Sequence, residues 1–594
     1  MDSLIYSHGA HLIDDSHTRF SLWAPDAVTV AVRLDSGDLY PMQPEDDGWF
    51  SINAPCGAGT GYRFWIDDRL DVPDPAARTQ KEDIQSPSCI LDQNAYRWKN
   101  PQWSGRPWHE TIIYELHVGA IGGYAQVEAR LPELAELGIT AIELMPLAEF
   151  PRAHNWGYDG VLPFAPEASY GTPDELKSLI DTAHGLGLMV FVDVVYNHFG
   201  PDGNYLGQYA KEFFREDVHT PWGAGIDFRR QPVRDFFCEN ALMWVLDYRV
   251  DGLRFDAVHA IDDKGFLLEL AQRVRRAAGQ RHVHLMLENE DNSAALLRSE
   301  PSQTSFDAQW NDDGHNVLHT LLTGEHEGYY ADHSQSPTEK LARCLSEGFI
   351  YQGETSHRGT SRGEPSAHLP PTAFVLFLQN HDQIGNRAFG ERLITLTDHD
   401  SLKVATALLL LSPMVPLLFM GEEWGSQQPF LYFTDHHDEL ADAVRQGRRD
   451  EFAAFSKFTD AAQRERIPDP NALETFTQSI PDFATRNTPT GQAWLEFYQS
   501  LLQIRQQKIV PHLPNACSAG ASVIGARAVS ASWLLGDQSE LRIELNLGDT
   551  TVTGSARAPG EHCLFRHGID EAAYEKNKLP PRTIVVTLTT HGHG

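Results

Sequence analysis

Val250-Asp251-Gly252-Leu253-Arg254-Phe255-Asp256-Ala257-Val258-His259 opens as a short apolar run and ends in polar groups. Leu253 and Phe255 alternate with Arg254 and Asp256, the period-two pattern of a strand with two distinct faces. Arg254 and Asp256 therefore point to the same side. A guanidinium beside a carboxylate lowers its pKa and keeps it ionised, so Asp256 is a candidate nucleophile at a strand tip. The same pair would also serve as a structural ion pair closing a strand. The surrounding chain decides between the two.

From about residue 110 the chain alternates strand and helix patterns. Eight candidate strands stand out: 111–118, 139–145, 188–195, 252–256, 283–288, 306–310, 374–379 and 415–420. Helical stretches lie between most of them, such as 173–186 and 265–278. Eight strands with intervening helices predict an α/β fold, a (β/α)8 TIM barrel. The gap from Asn197 to Arg249 is long and Gly-, Tyr- and Trp-containing near its start, and is expected to form a subdomain over the site. Short strands separated by turn signals before residue 95 predict an N-terminal β-sandwich. Strand-like patterns return after about residue 515 and predict a small C-terminal β-domain. The division expected is 1–95, 96–512 and 513–594. Between Gln428 and about Pro489 lies a run, Arg445 to Glu451, that reads as a solvated helix face.

The 594 residues carry 82 acidic and 48 basic groups, a net charge of −34. That balance argues against nucleic acid, whose phosphates select basic surfaces. Six scattered cysteines without a C-x-x-C pair suggest neither a disulfide framework nor a zinc site. Met1 to Ala10 has no signal-peptide pattern. The longest apolar stretch, Ala407 to Met420, is broken by Ser412, Pro413 and Pro416, which suits a buried helix, turn and strand and not a membrane span. A cytoplasmic location and no membrane partner are expected. The tail His591-Gly592-His593-Gly594 is too short to read as a metal site.

In such a barrel the reactive groups sit at the C-terminal ends of the strands. The third strand ends in Tyr196-Asn197-His198, the fourth in Arg254-Phe255-Asp256, the fifth in Glu288-Asn289-Glu290 and the seventh in Asn380-His381-Asp382. Stability alone explains poorly why three carboxylates, two histidines and an arginine share one rim. Cleaving a glycosidic bond needs one carboxylic acid for the leaving oxygen and one carboxylate at the anomeric carbon. No H-E-x-x-H, P-loop or G-x-G-x-x-G pattern competes, so no cofactor and no metal are expected. Tyr158 is the best-placed aromatic for stacking on a sugar face.

These four segments resemble the signature blocks of the α-amylase superfamily of retaining glycosidases and transglycosylases. The resemblance covers roughly residues 110 to 510. It implies Asp256 as nucleophile, Glu288 as general acid/base and Asp382 as the third carboxylate, with His198 and His381 bonding the sugar and Arg254 keeping Asp256 ionised. Glu290 is a near neighbour that strand parity cannot separate from Glu288. The segment around Asn155–Gly160 is similar to one shared by branching, debranching and trehalose-releasing members. Gln309–Asp313 with Leu321–Glu325 and Gly328–Asp332, Gly421–Gly425 with Phe430–His436, and Arg445–Phe452 are similar to the trehalose-releasing branch of that superfamily. They imply cleavage of the α-1,4 bond next to a terminal trehalose on a malto-oligosaccharide. A branching or debranching enzyme is the alternative, and a catalytically inactive sugar-binding protein a more distant one. Acceptor-side candidates lie on the loops after strands six to eight, with Asp312, Glu391 and Trp424 as the residues selected. Gly314-His315-Asn316 departs from the branch, where a bulky aromatic and a second histidine are expected.

Overall fold

A computed structural model describes residues 6–220, 223–297, 305–356 and 359–590; the His591–Gly594 tail lies outside them. The eight predicted strands form one closed parallel barrel in sequence order, from Ile113–Leu116 through Ala141–Leu144, Met189–Val194, Gly252–Phe255, His284–Leu287, Ala308–Trp310 and Phe374–Phe377 to Val415–Phe419. Their near-continuous burial is why they read as apolar runs: a parallel strand covered on both faces has no polar side to show. Helices begin where the sequence caps them. Thr172 and Glu175 form a reciprocal capping box that starts helix Pro173–Gly185.

The barrel interior has two characters. One part is packed with Ile113, Met189, Phe191, Met286, Val375 and Leu417, and with Trp310, whose ring centre lies 4.2 Å from the Arg254 guanidinium. Nearer the C-terminal mouth the inward positions are Glu115, Glu143, Asp193 and Arg254, all nearly inaccessible to solvent. The apolar layers fix the strands, and the charged layer supports the tips above it.

Residues before the barrel form two antiparallel sheets, one containing Gly9–Asp14, His17–Trp23 and Trp49–Ala54, the other Val30–Leu34 and Gly61–Ile66. This sandwich docks on helix Gln231–Leu246: the Ser7 backbone N–H and hydroxyl both donate to Glu239, and the Tyr6 hydroxyl donates to Asp247. After the barrel, a five-stranded antiparallel sheet is built from Cys517–Gly525, Ala528–Leu534, Glu540–Asn546, Thr583–Thr589 and Glu561–His567. It lies against helix Pro337–Glu347, where the Thr338 hydroxyl donates to the Ala526 carbonyl.

Two expectations change. The segment between the third and fourth strands holds a short helix, Leu206–Tyr209, a two-stranded hairpin, Phe214–Thr220 with Gly223–Ile226, and the barrel helix Gln231–Leu246. Only the barrel helix, less than a third of the segment, joins the barrel layer; the part before it holds the short helix and the hairpin and, among the described residues, no larger sheet. The Arg445–Glu451 run does lie on a helix, Asp438–Glu451, but its face is not wholly solvated. Arg448 is buried and donates to the carbonyls of Gly385 and Arg387.

Candidate active site

The parallel register places Arg254 beside Asp193 on one side and Met286 on the other, with Phe255 opposite Leu287. One residue further on, Asp256 and Glu288 stand on neighbouring tips and project to the same face. Arg254 Nη1 donates to Asp256 Oδ1 at 2.8 Å and to Asp193 Oδ2 at 2.8 Å, while Nη2 lies 3.9 Å from Glu288 Oε2. The predicted Arg–Asp pair is present, and the same guanidinium also reaches Glu288.

The chain turns sharply after Asp256. Ala257 has φ +41°, a left-handed conformation uncommon for a residue with a side chain. That turn aims the Ala257 N–H at Glu288 Oε2, 2.5 Å away. Burial raises the Glu288 pKa; Arg254 opposes the shift and the negative charge of Asp256 adds to it. Asp256 is held from the other side by the Asn197 amide, 2.9 Å from its Oδ2.

The His381 backbone N–H donates to Glu115 Oε2 on the first strand at 3.1 Å, and its ring Nδ1 meets Oε1 of the same carboxylate. Its Nε2 meets the Tyr158 hydroxyl at 2.8 Å and lies 3.4 Å from Asp382 Oδ1. Burial alone would lower its pKa, but the charges of Asp382 and Glu115 prevail and raise it to about 9. Tyr158 stacks on the His381 ring and donates to Asp193 Oδ2 at 2.7 Å. Burial raises the Asp193 carboxyl to about 7 against the pull of Arg254, with Asp256 adding to the rise. His198 touches Asn197 and the Tyr158 carbonyl. Seven of the ten selected residues are thus joined through direct contacts or shared partners.

A cavity of about 860 Å³ opens from this rim, bordered by Glu288, Asp312, Asp382 and Glu391. Asp312 follows the sixth strand and accepts from the Gln383 amide at 3.3 Å. Burial, then the charges of Glu288 and Asp382, raise its pKa to about 8. Glu391 pairs with Arg387 Nε at 3.2 Å. Glu290 also borders the cavity, and its side chain is more exposed than that of Glu288, 37% against 17%.

Trp424 is a correction. It is 3% exposed, does not border the cavity, and donates from Nε1 to the Thr485 hydroxyl at 3.1 Å. Glu422 and Glu423 beside it are also buried; Glu423 accepts from the Tyr114 hydroxyl. The turn after the eighth strand is spent on packing. At the departure noted above, a Cβ on Gly314 would lie 2.5 Å from Leu376 Cδ1, so the seventh strand leaves no room for a bulky residue there. His315 is buried, bonded to the Leu378 carbonyl, and Asn316 borders the cavity.

Sequence reading missed Asn197, Asp193 and Glu115 as partners of the site. Asp193 and Asn197 lie in the quoted third-strand block, but an inward carboxylate on a buried strand gives no periodic signal. Among the described residues no group of three or more His, Cys, Asp or Glu is arranged to hold a metal ion.

A closed parallel barrel with ionisable groups at the tips of its third, fourth, fifth and seventh strands defines a glycoside hydrolase of the α-amylase class. Residues 102–240 match the family described as alpha amylase, catalytic domain, and residues 517–586 match a domain of unknown function, DUF3459. A Salmonella typhimurium crystal structure superposes with a TM-score of 0.93 at 43% identity, covering 99% of this chain and 100% of that one. The malto-oligosyltrehalose trehalohydrolase of Rhizobium sp. (strain M-11) is 38% identical over 96% of this chain and 97% of its own length. That of Deinococcus radiodurans is 40% identical over 83% of this chain and 82% of its own. The chain belongs to the malto-oligosyltrehalose trehalohydrolase family.

Proposed function

We propose that the enzyme hydrolyses the α-1,4-glucosidic bond next to the terminal trehalose unit of malto-oligosyltrehalose, with retention at the anomeric carbon. The observation that carries this is the pairing of Asp256 and Glu288 on adjacent strand tips around one guanidinium. Neighbouring strands lie about 4.8 Å apart, close to the separation of about 5–5.5 Å that retaining carboxylates need. Asp256, fixed by Arg254 and Asn197, attacks the anomeric carbon. Glu288, kept protonated by burial and by the charge of Asp256, delivers its proton to the leaving oxygen. It then removes a proton from the water that frees the sugar.

Asp382 and the charged His381 bond the ring hydroxyls of the sugar being cleaved, with Tyr158 stacked behind and His198 at the side. Asp312 and Glu391 face the leaving portion. The chain is divided at 1–95, 96–512 and 513–594, with the middle part catalytic, and it acts in the cytoplasm without a bound cofactor. A branching enzyme would use the same carboxylates and differ in admitting a glucan hydroxyl where this enzyme admits water.

The test is to supply purified protein with maltopentaosyl trehalose and maltoheptaose in parallel and resolve the products. Release of trehalose from the first at a much higher kcat/KM supports the proposal. Equal cleavage of both, or α-1,6 branches formed from amylose, would give the case to the branching reading.

A further inference from the structure

The cavity has a direction. Glu288 and Asp382 border it, whereas Asp256, Arg254, His198 and Tyr158 do not. A general acid faces the leaving group and a nucleophile faces the anomeric carbon. On the functional reading above, on which this inference rests, the cavity is therefore the leaving-group side. Its far wall is aromatic: Phe389, Phe452, Phe455 and Phe458 border it, on segments after the seventh and eighth strands. Phe455 and Phe458 are only half-buried, so their ring faces are available to a ligand.

This wall is braced. Gly328 has φ +56°, and a Cβ there would fall 2.5 Å from the Phe455 ring, so the 324–330 loop packs directly under that side chain. Glu327 accepts from the Ser456 backbone at 3.1 Å and from its hydroxyl at 3.0 Å, and the Tyr329 hydroxyl donates to Glu451 at 3.0 Å. The Phe458 ring lies 5.9 Å from that of Phe389. Beside the rings stands a polar fork: Arg387 makes two bonds to Glu325, at 2.7 and 3.0 Å.

Apolar sugar faces pack on aromatic rings, and charged groups make the stronger hydrogen bonds to their hydroxyls. We propose that Phe455 and Phe458, with the Arg387–Glu325 fork, bind the outer glucose of the terminal disaccharide and end the leaving-group side there. A maltodextrin that continues past two units meets the wall, and a trehalose end fits against it. Specificity for a chain end follows from the wall, not from the carboxylates.

The test uses full-length Phe455→Ala, Phe458→Ala and the milder Phe455→Leu, which keeps an apolar side chain without the ring, each confirmed to melt as the parent does. Free trehalose is the probe, as an inhibitor of maltopentaosyl trehalose cleavage. The expected result is that its inhibition constant rises roughly tenfold or more, and that the preference for maltopentaosyl trehalose over maltoheptaose falls by a similar factor, the size of loss that removing pocket contacts produces. Phe455→Leu decides the matter if the alanine variants do not fold. Unchanged trehalose inhibition, or an equal loss on both substrates, overturns the inference. A parent enzyme with no preference between the two substrates would instead defeat the functional reading itself.

Discussion

Asp256 and Glu288 sit one strand apart and are similarly exposed, 13% and 17%, yet the guanidinium bonds Asp256 at 2.8 Å and only approaches Glu288, at 3.9 Å, whose pKa is raised by burial and by the charge of Asp256. Glu288→Gln should lower kcat about 10²–10⁴-fold, the usual worth of positioned proton transfer, measured on maltopentaosyl trehalose with the fold checked by circular dichroism. Glu290→Gln should stay within a few-fold of the parent, roughly as a more exposed rim substitution does; the reverse ranking would move the acid role to Glu290. The pH dependence has a definite sign. The acid must be protonated to act, so the rate falls as pH rises through the raised pKa of Glu288. The alkaline limb should lie clearly above the ordinary glutamate value of about 4.3. A limb at that ordinary value would mean that the proton comes from elsewhere.

At the scale of elements, the turn Glu422–Trp424 changes role between sequence and structure. Trp424→Ala should cost about 3–5 kcal/mol of stability, as removal of a buried large aromatic does, and should leave the ratio of kcat/KM for the two substrates unchanged. Thermal melting and the paired assay separate those effects. Burial raises Glu422 to about 8 and Glu423 to about 7. A carboxyl whose folded pKa lies above its unfolded one contributes stability that is full below the unfolded value and is lost as pH rises through the folded one. Urea midpoints should therefore decline between roughly pH 5 and 9, and Glu422→Gln with Glu423→Gln should flatten that decline. The eight strands were legible because each is an apolar run of strand length between helical patterns, and the tips because parallel strands present the same end. The facing of Trp424 was not: an aromatic after a strand tip reads alike whether it turns to the cavity or to the packing behind. Nor was Arg448, whose run of charges hides a side chain that bonds backbone carbonyls across the mouth. The pairing of Glu115 with His381 joins the first strand to the seventh, and no local pattern records such a contact.

Across the whole molecule, the sandwich meets the barrel through polar contacts at Tyr6, Ser7 and His8. Glu239 receives the Ser7 backbone, the Ser7 hydroxyl and the His8 backbone. Glu239→Ala leaves these donors without that acceptor and should loosen the docking. Limited proteolysis should then cut earlier between the sandwich and the barrel, in the stretch around residues 91–107, while the barrel fragment persists. Cleavage at the parent's rate would mean that the apolar contacts, such as His8 on Phe236 at 5.2 Å between ring centres, suffice alone.

The charged layer inside the barrel mouth has a consequence for protein engineering. Glu115, Glu143, Asp193 and Arg254 share a water-poor interior, and among the described residues neither oxygen of Glu143 meets a hydrogen-bond partner. Burial, then the charges of Glu115 and Asp193, drive the Glu143 pKa well above the ordinary range, so its proton is part of the scaffold. Transplanting three tip carboxylates onto a barrel with an oily interior would leave Asp256 without its guanidinium and His381 without its anion. A working graft would have to move the foundation with the tips, proton included.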